Sequence, residues 1–551
     1  MPRFTRAILA VVSTAAVAAL IAGCSSGGGT AAPSEPAGEP QQGGTLTYLE
    51  PQTWGTLYPP SAGFYPNGGI VNNITDRLLY QNPETLELEP WIATDYTVND
   101  DATEYTFTIR DDVTYSDGSA LTAENVVKNL DLFGTGDTAR ALPISEAINN
   151  YDRGEVTGDD TVVFHFTAPS PGFAQAVSTI NSGLLSDATL DRTSEQFGPG
   201  NAPEIIGSGP FVISDEAIGT STTLTARDDY DWAPASLEHQ GRAYLDGIDY
   251  VVAAEDSVRV GTVVAGQADI ARGIEAPDEA QFAASGLSLH AAATNGVNNG
   301  LSFRFREPRL ADLKVRQALI AGIDRQQIVD TLFTDSYPLA TGALATTALG
   351  YIDTSEYYAY DPEKAADLLD EAGWELGADG LREKDGETLS LTFNEALPQP
   401  RSKEVVTLIQ EQLGKLGIKV DLFAGDMAAQ TAASLDPSTI QVYHSMVGRA
   451  DFDVLKSQYF SKNRNTLVNF DKADGSLGDA TLDELLQAIA SEPTTEQRQA
   501  ASAAAQQYLA ENAYILPIFE EPQVFGLTDK VQGFATESVG RPSFYSTWLA
   551  G

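Results

Sequence analysis

The sequence predicts a mixed α/β protein built around more than one sheet, and three observations predict it. Short segments with apolar side chains at every second position alternate along the chain with longer segments of helical spacing. The 551 residues exceed what one hydrophobic core usually organises, so two or three lobes are expected. A composition of 42% hydrophobic and 20% charged residues is that of a globular chain that buries a large core.

Residues 44–49 open the fold with alternating apolar positions, a strand signal. Residues 71–80 read as an amphipathic helix with Val71, Ile74, Leu78 and Leu79 on one face. Residues 104–110 (EYTFTIR) alternate strongly and predict a strand, followed by a turn and a second strand at 113–115. Thr122 then caps a helix over 123–133, with Glu124 near its positive end. Residues 161–166 (TVVFHF) predict another strand, in which His165 is a packed or partly exposed sheet residue rather than a ligand. Residues 314–330, 362–372, 402–416, 482–490 and 495–511 have helical spacing, and 418–423 and 515–519 read as buried strands. No internal repeat breaks this order.

Charge and cysteine usage narrow the function. With 33 basic against 77 acidic residues the formal net charge is -44, which repels phosphate backbones and anionic headgroups and argues against nucleic acid as a partner. Such acidity suits solubility in an extracytoplasmic medium; a preference for cationic ligands is the other reading. The single cysteine, Cys24, excludes an intrachain disulfide and a cysteine metal cluster. The four histidines are scattered, so neither a metal site nor a cofactor is expected. Residues 469–480 resemble a calcium loop only superficially, because Asp474 occupies the glycine position and Ala480 replaces the terminal Glu. There is no GxSxG elbow and no Walker loop, and an enzyme is not expected.

At the amino terminus Arg3 and Arg6 precede an apolar run over 7–22, which reads as a secretory signal occupying residues 1–23. The segment Ile21-Ala22-Gly23-Cys24 resembles the bacterial lipobox, which makes Cys24 the expected lipidation site. Residues 24–43, rich in Ser, Gly, Pro and Ala, read as a flexible tether. A lipid-anchored protein outside the cytoplasm, on the cell membrane, is the expectation.

Five blocks, in order, resemble the family 5 extracellular solute-binding proteins, the oligopeptide, dipeptide and nickel receptors of ABC importers. They are residues 105–130 (YTFTIRDDVTYSDGSALTAENVVKNL), Gly207-Ser208-Gly209-Pro210-Phe211, residues 310–329 (LADLKVRQALIAGIDRQQIV) and residues 408–422 (LIQEQLGKLGIKVDL). The fifth comprises Arg498, Ile515-Leu516-Pro517-Ile518 and Val531-Gln532-Gly533-Phe534. The resemblance implies a periplasmic-binding-protein fold of the three-domain peptide-receptor type, with two lobes joined by a hinge. A first domain would combine residues 44–86, 209–300 and 520–551; a second would occupy 87–208; the other binding lobe would occupy 301–519. It also implies ABC permease and ATPase partners, a monomeric receptor, and a peptide or other small solute enclosed between the lobes. Metal–metallophore complexes, haem and other non-peptide solutes stay open as ligands, as does a surface lipoprotein that does not transport.

Within the resemblance, Gly448-Arg449-Ala450-Asp451-Phe452 is similar to the segment whose aspartate pairs with a peptide ammonium, which would make Asp451 the amine anchor. The competing role is a cap for a helix starting near Asp453. The family's tryptophan before this aspartate is missing, and Arg449 offers a positive charge for a ligand carboxylate or for Asp451 itself. Arg304 stands where the family usually has Asn; on an alternating strand it would share a face with Arg306 and could receive a carboxylate. Packing against surface acids is the alternative for both. Trp54, Tyr58 and Tyr65 lie where the family supplies aromatic contacts, with interdomain packing as the alternative, and His444 could contribute to a metal–chelate site or be structural.

Overall fold

A computed structural model describes residues 38–551 apart from 398 and 435. The leader over 1–23, Cys24 and the tether through residue 37 lie outside the described residues.

The largest sheet has seven strands in the order Ser288–Ala292, Gln523–Leu527, Ile270–Arg272, Thr45–Glu50, Gly247–Val252, Ser221–Ala226, Phe211–Ala217. Thr45–Glu50 runs parallel to both of its neighbours, an arrangement that buries both faces of a strand, and four of its six residues are buried. A second sheet has five strands, Lys419–Phe423, Ser390–Asn394, Val442–Gly448, Gly296–Phe303 and Ile515–Phe519. A third, antiparallel, has four: Ala93–Val98, Glu104–Ile109, Thr161–Phe166 and Tyr151–Val156. Its inner face is filled by Tyr105, Phe107, Phe164 and Phe166, every second residue of two adjacent strands, packed on Phe173.

Two short crossovers join the seven-stranded sheet to the five-stranded one, side by side. Ser288–Ala292 pairs with Gln523–Leu527 in the first sheet, and Gly296–Phe303 pairs with Ile515–Phe519 in the second. Residues 293–295 and 520–522 are therefore the links, short enough to bend while each sheet stays rigid. Among the described residues no helix is long and apolar enough to cross a membrane.

Three local expectations are corrected. The helix expected over 71–80 is instead Tyr65–Ile74, followed by a strand at Leu79–Gln81. It carries Pro66 at its first turn and two glycines, and Pro66 to Ile74 are all buried, so it shows no one-sided stripe. Gly68 is required there because a Cβ would lie 2.5 Å from the Arg541 side chain. The strand expected at 113–115 reduces to a single bridge between Thr114 and Ala120. The helical run over 314–330 breaks into Leu313–Gly322 and Arg325–Leu332, because Asp324 accepts a hydrogen bond from Gln327 N and starts a new helix.

Candidate ligand-binding site

A cavity of about 800 Å³ lies at the hinge, lined by segments that neighbour all three sheets. Its wall carries both signs of charge, with Arg259, Arg272, Arg449 and Arg541 facing Glu521 and Glu537. The exposed side chains of Phe64 and Ile144 add apolar surface. Arg464 and Glu146, also in the lining, pair at 3.0 Å between the lobes of the five- and four-stranded sheets.

Most of these charges are held by a partner. Arg272 ends the strand Ile270–Arg272 and donates from Nε and Nη2 to the carboxylate of Glu50, while its Nη1 donates to Gln523 Oε1 at 2.9 Å. Arg541 donates to Glu537 at 3.2 Å and to the Gly63 carbonyl. The guanidinium groups of Arg272 and Arg541 both lie over the ring of Tyr65, 5.3 and 5.1 Å from its centre. Tyr65 donates to the Val539 carbonyl at 3.0 Å, and burial pushes its hydroxyl up to about 12. Arg259 is spent on four backbone carbonyls and Asp256.

Two lining groups are less satisfied. Arg449 donates through Nε to Asp451 Oδ2 at 2.5 Å, but its Nη1 is buried with no hydrogen-bond partner among the described residues. Its backbone N–H donates to the Asn295 carbonyl at 2.8 Å, fixing the loop to the first crossover. Glu521, on the second crossover, is 6% exposed and accepts one hydrogen bond, from Asn299 Nδ2 at 2.9 Å. Burial pushes its carboxyl up to about 7 against the pull of Asn299 and Arg272.

The residues singled out from the sequence fall in different places. Arg449 and Tyr65 line the cavity. Asp451 does not; it sits behind Arg449, 4% exposed, with Oδ1 buried and without a partner among the described residues. Nor does Asp451 cap the following helix, Val454–Tyr459, whose cap position is Asp453. Arg304 is removed from the cavity: the strand ends at Phe303, and the guanidinium is fully buried, donating to the carbonyls of Thr466, Ile440 and Ser434 beneath the Tyr443 ring. Arg306 instead reaches Asp471 and the Asn469 carbonyl.

Trp54 lines a separate pocket of about 210 Å³ and donates to Thr222 Oγ1 at 3.0 Å. Tyr58 is buried against Phe133 and Phe197, an interdomain packing role. His444 is fully buried between Ser402 and Asn299, and burial pushes its imidazole down to about 4, so it is neutral and internally satisfied rather than a metal ligand. Among the described residues no cluster of His, Cys, Asp and Glu could hold a metal ion.

Sequence reasoning missed Arg272, Arg541, Glu521 and Glu537, which lie outside the recognised motifs. A signal for Glu521 was present: two acids, Glu520 and Glu521, directly follow a strand whose five residues are all buried.

Two sheets linked by paired crossovers, with a charged cavity at the links, define a two-lobed solute receptor. Residues 87–466 match the family described as bacterial extracellular solute-binding proteins, family 5, and the chain belongs to that family. The oligopeptide-binding protein AppA of Bacillus subtilis is 26% identical over 407 residues, 70% of this chain and 69% of AppA. The glutathione-binding protein GsiB of Salmonella typhi is 26% identical over 359 residues, 65% of each chain. The chain thus spans about two thirds of the length of these relatives. By structure it resembles NikA from Brucella suis in complex with Fe(III)-EDTA, with a TM-score of 0.77, 23% identity, and coverage of 92% of this chain and 100% of NikA. It also resembles AppA bound to a nonapeptide, with a TM-score of 0.75, 21% identity, and coverage of 93% and 100%. Members of this family are transport receptors of ABC importers, and the chain is an extracytoplasmic binding protein rather than an enzyme.

Proposed function

We propose that this chain is a lipid-anchored, monomeric receptor that encloses a short peptide between its lobes and delivers it to the permease and ATPase of an ABC importer. One observation carries the choice of ligand: the cavity of about 800 Å³ presents both charge signs, with a buried arginine nitrogen, Arg449 Nη1, left without a partner. That nitrogen receives a ligand carboxylate, and Asp451 orients the guanidinium from behind. The printed names of relatives support the peptide class, AppA as an oligopeptide-binding protein and GsiB as a glutathione-binding one.

In this reading residues 44–86, 209–300 and 520–551 form the first domain, 87–208 the second, and 301–519 the closing lobe. The seven- and four-stranded sheets support the division, since the strands of each fall within one of these sets, whereas the strand Gly296–Phe303 runs across the boundary between the first domain and the closing lobe, and the pair Leu79–Gln81 and Leu88–Pro90 runs across that between the first and second domains. Anchoring through Cys24 follows from the lipobox resemblance.

Native mass spectrometry of freshly purified protein, followed by thermal-shift titration with tri- to pentapeptides and with Fe(III)-EDTA, tests the ligand class. Peptides are expected to raise the melting temperature. A rise with the chelate alone would show the peptide assignment to be wrong. Cys24→Ala is expected to release the protein from the membrane fraction; retention there would remove the anchor.

A further inference from the structure

Three charges are buried together at the second crossover: Glu50, Arg272 and Glu521. Arg272 gives Nε and Nη2 to Glu50 and Nη1 to Gln523, and it makes no hydrogen bond to Glu521. Its charge is thus already matched by Glu50, and the group retains one unmatched negative charge when Glu521 is ionised.

The other side of Glu521 is held by a one-way chain of hydrogen bonds. Asn299 Nδ2 donates to Glu521 Oε2 at 2.9 Å, so Asn299 Oδ1 must accept. His444 Nε2 therefore carries the proton and donates to that oxygen at 2.6 Å. Its Nδ1 is then an acceptor for the Ser402 hydroxyl at 2.9 Å, and Ser402 Oγ accepts from Ala396 N at 2.7 Å. Every link passes a donor toward Glu521, and among the described residues no donor reaches its second oxygen, Oε1. The remaining polar groups whose fields meet Glu521 are the hydroxyls of Tyr65 and Tyr337, both in the cavity lining.

We propose that Glu521 receives an ammonium group of the ligand through Oε1, making the hinge carboxylate, rather than Asp451, the determinant of selectivity for amines. This rests on the reading that the cavity at the hinge is the ligand site. The ligand supplies the positive charge that the buried group lacks, in a setting where an ion pair is poorly screened. A protonated Glu521 cannot serve, so below neutrality capture of an ammonium requires that the carboxyl release its proton to solvent while the ligand keeps its own. Because burial pushes this carboxyl up to about 7, the exchange falls in the physiological range. Affinity for an ammonium ligand should then rise as pH increases from 5.5 to 7.5.

The test compares tri-alanine, N-acetyl-tri-alanine and putrescine on wild type and Glu521→Gln by calorimetry at pH 7 in two buffers of different ionisation enthalpy. Tri-alanine is expected to bind wild type at least tenfold more tightly than its acetylated form, with proton release, and Glu521→Gln to abolish both the preference and the release. A preference for the free amine that survives Glu521→Gln, or an acetyl group without effect, would overturn the assignment while leaving the peptide reading intact. Binding of putrescine but not tri-alanine, lost in Glu521→Gln, would support Glu521 and sink the peptide reading. Failure of both amines to bind wild type would overturn the assignment. A readout without ligand accompanies these: Glu521→Gln should melt higher than wild type at pH 8 and equally at pH 4, and equal melting at pH 8 would show that no unmatched charge is buried there.

Discussion

In the four-stranded sheet the interior is made of rings, whereas at the hinge it is made of charges. Phe173 touches Tyr105, Phe107, Phe164 and Phe166, and the ionisable His165 stays on the outer face between Glu104 and Glu155. The hinge instead buries Glu50, Arg272, Glu521 and Asp451 and half-buries Arg449. Rings packed edge to face stabilise one geometry and are indifferent to pH or solute. Buried charges gain little net stability from their pairing, but they leave a site that a ligand of matching charge can complete. Stability and recognition are thus assigned to different regions of one chain.

The contrast can be broken in several places. Arg272→Ala would leave Glu50 and Glu521 buried without a counter-charge and should destabilise the protein by about 5 kcal/mol near pH 8 in urea unfolding. A loss below about 1 kcal/mol would mean that the pair is hydrated. Phe173→Ala removes the ring at the centre of the other region and should cost about 4 kcal/mol at any pH, while the folded fraction keeps its ligand affinity. A change in affinity would show that the two regions are coupled. Glu521→Gln acts with a defined sign. The folded carboxyl titrates at about 7 against 4.5 unfolded, so the native state holds the extra proton and stability declines as pH rises through that window. The variant should therefore gain about 3 kcal/mol at pH 8 and nothing at pH 4. Smallest in energy, Arg449→Gln should weaken peptide binding about tenfold, roughly 1.4 kcal/mol, and Asp451→Asn by less, because it only loosens the guanidinium. An Asp451 effect larger than that of Arg449, measured by calorimetry, would reinstate Asp451 as the direct anchor.

The parts of the fold legible in the sequence are those whose apolar residues alternate or run unbroken. Residues 161–166 and 515–519 were read with their observed bounds, and Glu104–Ile109 to within one residue, because alternation or an apolar run marks them. The helix Tyr65–Ile74 was illegible because it is buried all round without an apolar stripe or run, and its Gly68 is there for Arg541, 473 residues distant. The site suffers from the same distance. Arg304 was placed on an alternating strand, but the strand stops one residue earlier and three carbonyls from two remote loops take its donors. Arg449 was found because a motif surrounds it; Glu521 became meaningful only once the second crossover put it beside Arg272 and Asn299.

The chain of hydrogen bonds from Ser402 to Glu521 has a thermodynamic consequence of its own. His444 titrates at about 4 in the folded protein against 6.5 unfolded, and Glu521 at about 7 against 4.5. Between pH 4.5 and 6.5 the unfolded chain therefore keeps a proton on the imidazole, and the folded chain keeps one on the carboxyl. Folding relocates that proton across Asn299 without changing the number bound. Over those two units of acidity the two penalties offset each other, and this pair of buried groups adds no slope to the pH dependence of stability.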